Sequence, residues 1–176
     1  MEYVRDYVMY MAVFGFFSFV WFGWAQENPR PSWRKYIGVA SGLGFVISSI
    51  GIYLSIQHWN DASALNQATA FNLYLIFVWA EIIICMVGAI LLTVFKKKHM
   101  IAPFVAFIVG SHFIGLAPVF ADPTLYLLAL LIMVISCVSL PVAKRLQVAP
   151  SAITGIGTGS VLFCFAILGF VRYLLV

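Results

Sequence analysis

The stretch that decides the fold is residues 71–98, FNLYLIFVWAEIIICMVGAILLTVFKKK. It is almost continuously apolar as far as Phe95 and then ends in three lysines. A helix rises 1.5 Å per residue, so a run of this length crosses the roughly 30 Å hydrocarbon core of a bilayer. One carboxylic acid, Glu81, stands near its middle. The stretch therefore predicts a transmembrane helix that carries an acidic side chain at membrane depth.

The rest of the chain has the same character. Of its 176 residues, 64% are hydrophobic and 9% are charged, whereas about a quarter of the residues are charged in ordinary soluble domains. The mean hydropathy is +1.05. A protein with a surface this apolar is not soluble in water. We therefore predict that the lipid bilayer is its solvent and a partner of the protein.

Charged and turn-forming residues divide the chain into six apolar runs. We predict spans at about residues 7–25, 36–57, 70–95, 100–120, 123–143 and 151–171. In lipid every backbone polar group must find its partner within its own segment, which favours helices. The predicted fold class is all-α: a polytopic integral membrane protein whose residues 1–176 form one domain, a compact bundle of six transmembrane helices.

The basic residues between the spans predict the orientation. Loops on one side hold Arg30, Arg34, Lys35, Lys96, Lys97, Lys98, Lys144 and Arg145, and those on the other side hold only Arg5 and Arg172. Short loops rich in Lys and Arg stay in the cytoplasm. We therefore predict both termini on the non-cytoplasmic side, in a bacterial cytoplasmic (inner) membrane. Because the basic residues form no single patch, the net charge of +4 does not indicate a nucleic-acid partner.

Small residues recur at helical spacing in the second and sixth spans. They are Gly38, Gly42, Gly44, Ser48, Gly51 and Ser55 in the second span and Ser151, Gly155 and Gly159 in the sixth. Small residues four apart let two helix backbones approach closely. The pattern favours packing inside the bundle, and the alternative is a homo-oligomer that meets through these faces.

Two ionisable side chains, Glu81 and His112, fall well inside the predicted spans. Inserting a carboxyl group at the bilayer centre costs roughly 2.5–3.5 kcal/mol on insertion scales. Such a group is therefore rarely present unless another interaction compensates for that cost. Measured from the outer edges of spans three and four, Glu81 lies about 15 Å deep and His112 about 12 Å deep. The two helices are consecutive and antiparallel, so we predict a contact between the two side chains.

Further polar residues extend this predicted site towards the outer face. Gln67, Tyr74 and Glu81 are spaced seven apart and share one helical stripe. We predict that Glu81 and His112 bind a ligand or handle a proton, and that Tyr74 and Gln67 shape the mouth of the pocket. The alternative is a structural contact that only fixes span three against span four. A Glu–His pair can change its protonation between pH 5 and 8, which is what proton coupling requires.

The sequence leaves three kinds of function open. The leading hypothesis is a small membrane transporter or ligand-binding membrane protein, whose ligand is a small molecule or a lipid. The alternatives are an intramembrane enzyme that acts on a lipid or isoprenoid-like substrate and a non-catalytic accessory or assembly subunit. His58, Asp61 and Asp122 lack the spacing of metal ligands on a helix, so we predict no metal site, and no motif indicates a cofactor.

Overall fold

The computed structural model describes residues 3–176, and within them the chain folds into six long helices. These are α1 (Val4–Trp24), α2 (Arg34–Gln57), α3 (Ala68–Val94), α4 (Ile101–Val119), α5 (Thr124–Leu146) and α6 (Pro150–Leu174). All six are long and apolar enough to cross a membrane. The predicted all-α class, a bundle of six helices each able to span a membrane, is therefore confirmed.

The helix ends differ from the predicted spans by a few residues. The α5 helix continues through Lys144 and Arg145 to Leu146 and stops where Gln147 adopts a left-handed conformation with φ 56°. The prediction ended this span at residue 143, immediately before the first basic residue. Long basic side chains can reach the headgroups from inside a helix, so a helix need not end where its charges begin.

Helix α1 occupies the centre of one half of the bundle. It packs against α2 on one side and against α6 on the other, while α4 packs against α5 and α5 against α6. Its side chains Tyr10, Met11 and Phe14 lie in the main hydrophobic core together with Phe113 of α4 and Phe165 of α6. The rings of Phe14 and Phe113 meet edge to face with their centroids 5.7 Å apart.

The small residues of α2 and α6 bring those helices close to α1. A Cβ atom at Gly44 would lie 2.9 Å from the backbone nitrogen of Phe19, and one at Gly155 would lie 2.5 Å from the carbonyl oxygen of Trp21. Hydroxyl groups complete these seams, since Ser48 Oγ donates to the Ala12 carbonyl at 2.9 Å. Packing inside the bundle is thus confirmed for these glycines.

Two glycines of α2 take no part in this packing. A Cβ atom at Gly42 would have no described atom of another element within 4 Å, and one at Gly38 would meet only the Gln26 side chain, at 3.9 Å. Both glycines are exposed. The predicted homo-oligomer would have to use this part of α2, and its existence stays a prediction.

Helix α3 lies at the edge of the bundle. None of the residues in Ala68–Val94 is buried, and its main neighbour among the long helices is α4. Two glycines make that contact close: the ring of Phe77 lies where a side chain at Gly115 would be, and the ring of Phe104 lies where one at Gly88 would be. The two ring-on-glycine contacts set the distance between α3 and α4.

Candidate functional site

The predicted contact between Glu81 and His112 is present. Nδ1 of His112 lies 3.2 Å from Oε2 of Glu81 across the interface of α3 and α4. The His112 side chain is 8% exposed and that of Glu81 is 24% exposed. The two groups therefore meet inside a helix–helix interface, while the carboxylate stays reachable from outside the protein.

The backbone around the pair identifies the donor. Nδ1 of His112 also lies 3.2 Å from the carbonyl oxygen of Phe77. A carbonyl oxygen can only accept a hydrogen bond, so Nδ1 must carry the hydrogen when it bonds there. Oε2 of Glu81 lies at the same 3.2 Å from this nitrogen, within the distance of an ion pair. This arrangement leaves Nε2 as the ring nitrogen that can gain or lose a proton.

The two ring-on-glycine contacts lie on either side of the pair. Phe77 precedes Glu81 by about one turn and packs on Gly115, which follows His112 by about one turn. Gly88 and Phe104 meet about two turns away in the opposite direction. The pair thus occupies the middle of the interface, and the separation of the helices at both contacts controls the distance between carboxylate and imidazole.

Tyr74 lies about 10 Å along α3 from Glu81, on the same face. It is half-buried, packs against the main core, and meets the ring of Phe120 with centroids 6.2 Å apart. Gln67 is exposed just before the first turn of α3, about 21 Å along the helix from Glu81. The structure therefore brings together Glu81 and His112, places Tyr74 two turns away, and leaves Gln67 at the surface; their functional roles stay predictions.

A second polar cluster, at the end of the bundle where α1 begins and α6 ends, was not predicted from the sequence. The carboxylate of Asp122, 2% exposed, pairs with Nη1 of Arg172 at 2.6 Å. It also accepts hydrogen bonds from the hydroxyl and the backbone nitrogen of Thr124, at 2.7 and 3.0 Å. Burial by itself would raise the pKa of Asp122, but the hydrogen bonds from Arg172 and Thr124 outweigh it and hold that pKa below its usual value.

Asp6 extends this cluster to the first helix. Its buried carboxylate accepts hydrogen bonds from the Ser63 hydroxyl at 2.6 Å and from the Ala64 backbone nitrogen at 2.9 Å. The hydroxyl of Tyr10, one turn further along α1, is buried in the same region. Asp6 and Asp122 are the acidic groups nearest to that hydroxyl. The cluster ties the loop between α2 and α3 to the ends of α1, α5 and α6.

The loop between α2 and α3 contains a further contact that bears on metal binding. Nδ1 of His58 lies 2.7 Å from Oδ2 of Asp61, and both side chains are partly exposed. Asp122, the third residue considered as a ligand, pairs with Arg172 instead. In the part of the chain that the structure describes, no three His, Cys, Asp or Glu side chains come together as a metal would need.

Comparison with protein-family models, with curated proteins and with solved structures found no match to this chain.

Proposed function

We propose that the protein is a small membrane transporter or ligand-binding membrane protein whose working centre is the Glu81–His112 pair. The observation that carries this proposal is the 3.2 Å contact between a carboxylate and an imidazole inside the α3–α4 interface, with Glu81 still 24% exposed. An ionisable group is expensive at membrane depth and usually marks a substrate or proton path.

The surroundings of the pair support a site between helices. Ligand sites in helical proteins commonly lie between the helices of a bundle. Helix α3 is held chiefly by α4 and has no buried residue within Ala68–Val94. A modest separation of these two helices would admit a ligand to Glu81 without disturbing the core around α1.

Proton coupling follows from the chemistry of the pair. The titratable groups that face it are Tyr74 and Cys85, both on the Glu81 face of α3. Neither is a cation, so within the described residues His112 is the group that can supply positive charge beside Glu81. Arrival of a proton or a cationic ligand would change the charge of the pair, and such a change can drive the two helices between two arrangements.

The proposed setting is a bacterial cytoplasmic membrane with both termini outside. Support comes from the distribution of basic residues, since the loops after α1, α3 and α5 hold most of the Lys and Arg residues. In this orientation the cluster around Asp122 and Arg172 faces outward. The pair lies below it, with Glu81 at the midpoint of α3 and His112 in the half of α4 that is nearer the outer face.

The test compares Glu81→Gln with Glu27→Gln, which removes an exposed carboxylate from the loop after α1. Each variant is reconstituted in vesicles that contain the pH-sensitive dye pyranine, and proton entry is followed under an imposed potential. Native mass spectrometry of the gently purified proteins records any retained small molecule. We expect Glu81→Gln to lose the proton flux or the retained molecule and Glu27→Gln to keep it.

The proposal fails if Glu81→Gln inserts, folds and behaves like the wild type in both measurements. Helix content and elution volume in detergent establish that each variant is folded. Turnover of a lipid extract by the wild type and not by Glu81→Gln would instead support the intramembrane enzyme.

A further inference from the structure

We propose that the protein binds one anionic phospholipid at the α3–α4 interface, on the side of the bundle that carries the three consecutive lysines. An open groove of ≈ 480 Å³ lies there, on the opposite side of the Glu81–His112 pair from Tyr74. It is lined by α3 residues between Ile83 and Leu92 and by Phe104 of α4, and every lining residue is apolar. This site is separate from the proposed working centre.

The groove has the form that an acyl chain requires. It extends about 14 Å along α3, and its floor is the ring of Phe104 packed over Gly88. Along its rim Val87 and Leu91 are each 48% exposed. A concave, apolar surface that opens sideways into the hydrocarbon region suits a lipid chain.

The end of the groove is electropositive. The backbone nitrogen of Lys97 donates to the carbonyl oxygen of Leu92 at 2.7 Å, so the lysine turn sits directly on the last residue of the groove. Lys96 occupies the left-handed position that closes the helix, with φ 58°. Glycine is the usual residue at that position because it adopts this conformation without strain. A lysine there adds a positive charge to the turn next to the groove, at a conformational cost.

The charge of this lysine turn is not neutralised by the carboxylates that the structure describes. Lys96, Lys97 and Lys98 are exposed, and none of them forms an ion pair with a carboxylate of residues 3–176. Glu27 is the sole acidic residue in the loops at this end of the bundle. Basic residues beside a gap between transmembrane helices bind anionic lipid headgroups. An apolar groove that ends in three unpaired lysines matches a phospholipid with a negative headgroup.

Two variants test the two halves of the proposed site. Val87→Phe fills the groove, and its matched control Ile90→Phe adds an aromatic ring to an exposed α3 residue that does not line the groove.

The charge is tested by a triple change of Lys96, Lys97 and Lys98 to Gln. Its matched control is the triple change of Arg30, Arg34 and Lys35 to Gln, which removes an equal charge from the segment at the start of α2.

The measurement is native mass spectrometry of protein titrated with phosphatidylglycerol, phosphatidylcholine or inorganic phosphate. We expect the wild type to retain one phosphatidylglycerol in preference to phosphatidylcholine, and inorganic phosphate not to displace it. Val87→Phe should weaken the binding of both lipids, and the Lys96–98 variant should lower the phosphatidylglycerol affinity by about tenfold or more. Both control variants should bind like the wild type.

Several outcomes would overturn the proposal. Equal losses in the two triple-charge variants would show a general attraction of anionic lipid to this face. Unchanged binding in Val87→Phe, with the fold verified by helix content, would mean that the groove does not hold the chain. Displacement of the lipid by inorganic phosphate would make the lysine turn an anion site alone, and a lipid-free dimer mass lost in Val87→Phe would assign the groove to a second copy of the chain.

Discussion

At the scale of single residues, the Glu81–His112 contact invites a measurement of how strongly the two side chains depend on each other. We predict a coupling free energy of about 0.6–1.7 kcal/mol in a double-mutant cycle of Glu81→Gln and His112→Gln, which is the range for hydrogen bonds between membrane helices. Unfolding in mixed micelles at pH 7 gives the four values. A coupling near zero would contradict an interaction between these two side chains.

The buried pair of Asp122 and Arg172 predicts a dependence of stability on pH. The folded pKa of Asp122 lies below its usual value, which is about 3.9 in an unfolded chain. The folded state therefore binds this proton less readily than the unfolded state, and its contribution to stability is present above about pH 4 and is lost as the pH falls towards the folded pKa. Unfolding free energies measured from pH 7 to pH 3 should show this loss, and Asp122→Asn should remove it.

Two further variants show whether the pair is the source of that dependence. Arg172→Gln leaves a buried carboxylate without its cation and should cost about 3 kcal/mol at pH 7. The exposed Asp61→Asn should leave the acid-dependent part of the stability in place. Acid dependence that persists in Asp122→Asn would contradict this account.

The two polar clusters differed in how far the sequence predicted them. Glu81 and His112 stand alone inside long apolar runs, so their positions along consecutive antiparallel helices sufficed to predict their contact. Asp6, Asp122 and Arg172 lie at the ends of spans, where charged residues are ordinarily in water. Their burial depends on how α1, α5 and α6 come together, and this is a property of the tertiary packing that no local pattern contains.

At the scale of helices, glycine substitutions on α2 separate close packing from lipid exposure. Gly51→Ala would place a methyl group on the backbone of Ala12 in α1, whereas Gly42→Ala meets no described atom of another element. We predict that Gly51→Ala lowers the free energy of unfolding by about 1–3 kcal/mol because the seam is overpacked. Gly42→Ala should raise it by about 0.5–1 kcal/mol because alanine favours the helix. Equal effects would contradict the observed α1–α2 contact.

Spacing predicted that the small residues of the second and sixth spans pack against a helix, but it did not identify which helix. It also gave no sign that α3 lies at the edge of the bundle. Lipid chains and protein cores are equally apolar, so a transmembrane helix that faces lipid on most sides has nearly the same composition as one in the core. The neighbours of each helix are fixed by shape, as Phe77 on Gly115 illustrates.

For the whole molecule, the proposed orientation predicts which loops meet the cell exterior. In a variant without its native cysteines, Asp61→Cys lies in the loop after α2 and Lys97→Cys in the loop after α3. A membrane-impermeant maleimide added to intact cells should label the thiol at position 61 and spare the thiol at position 97, and lysis should expose both. Labelling of position 97 alone before lysis would show that the protein has the opposite orientation and would contradict the proposal.

The central position of α1 has a consequence for the order of assembly. Of the six helices α1 leaves the ribosome first and α6 last, yet Ser18 of α1 donates its hydrogen bond to the Gly159 carbonyl of α6, at 2.9 Å. Until α6 is inserted, that side of α1 has no lasting protein neighbour. A chain in which α6 is not yet inserted therefore leaves one side of α1 without its protein partner. We therefore expect substitutions in the α1–α6 seam to reduce the amount of protein in the cell before they affect what it does.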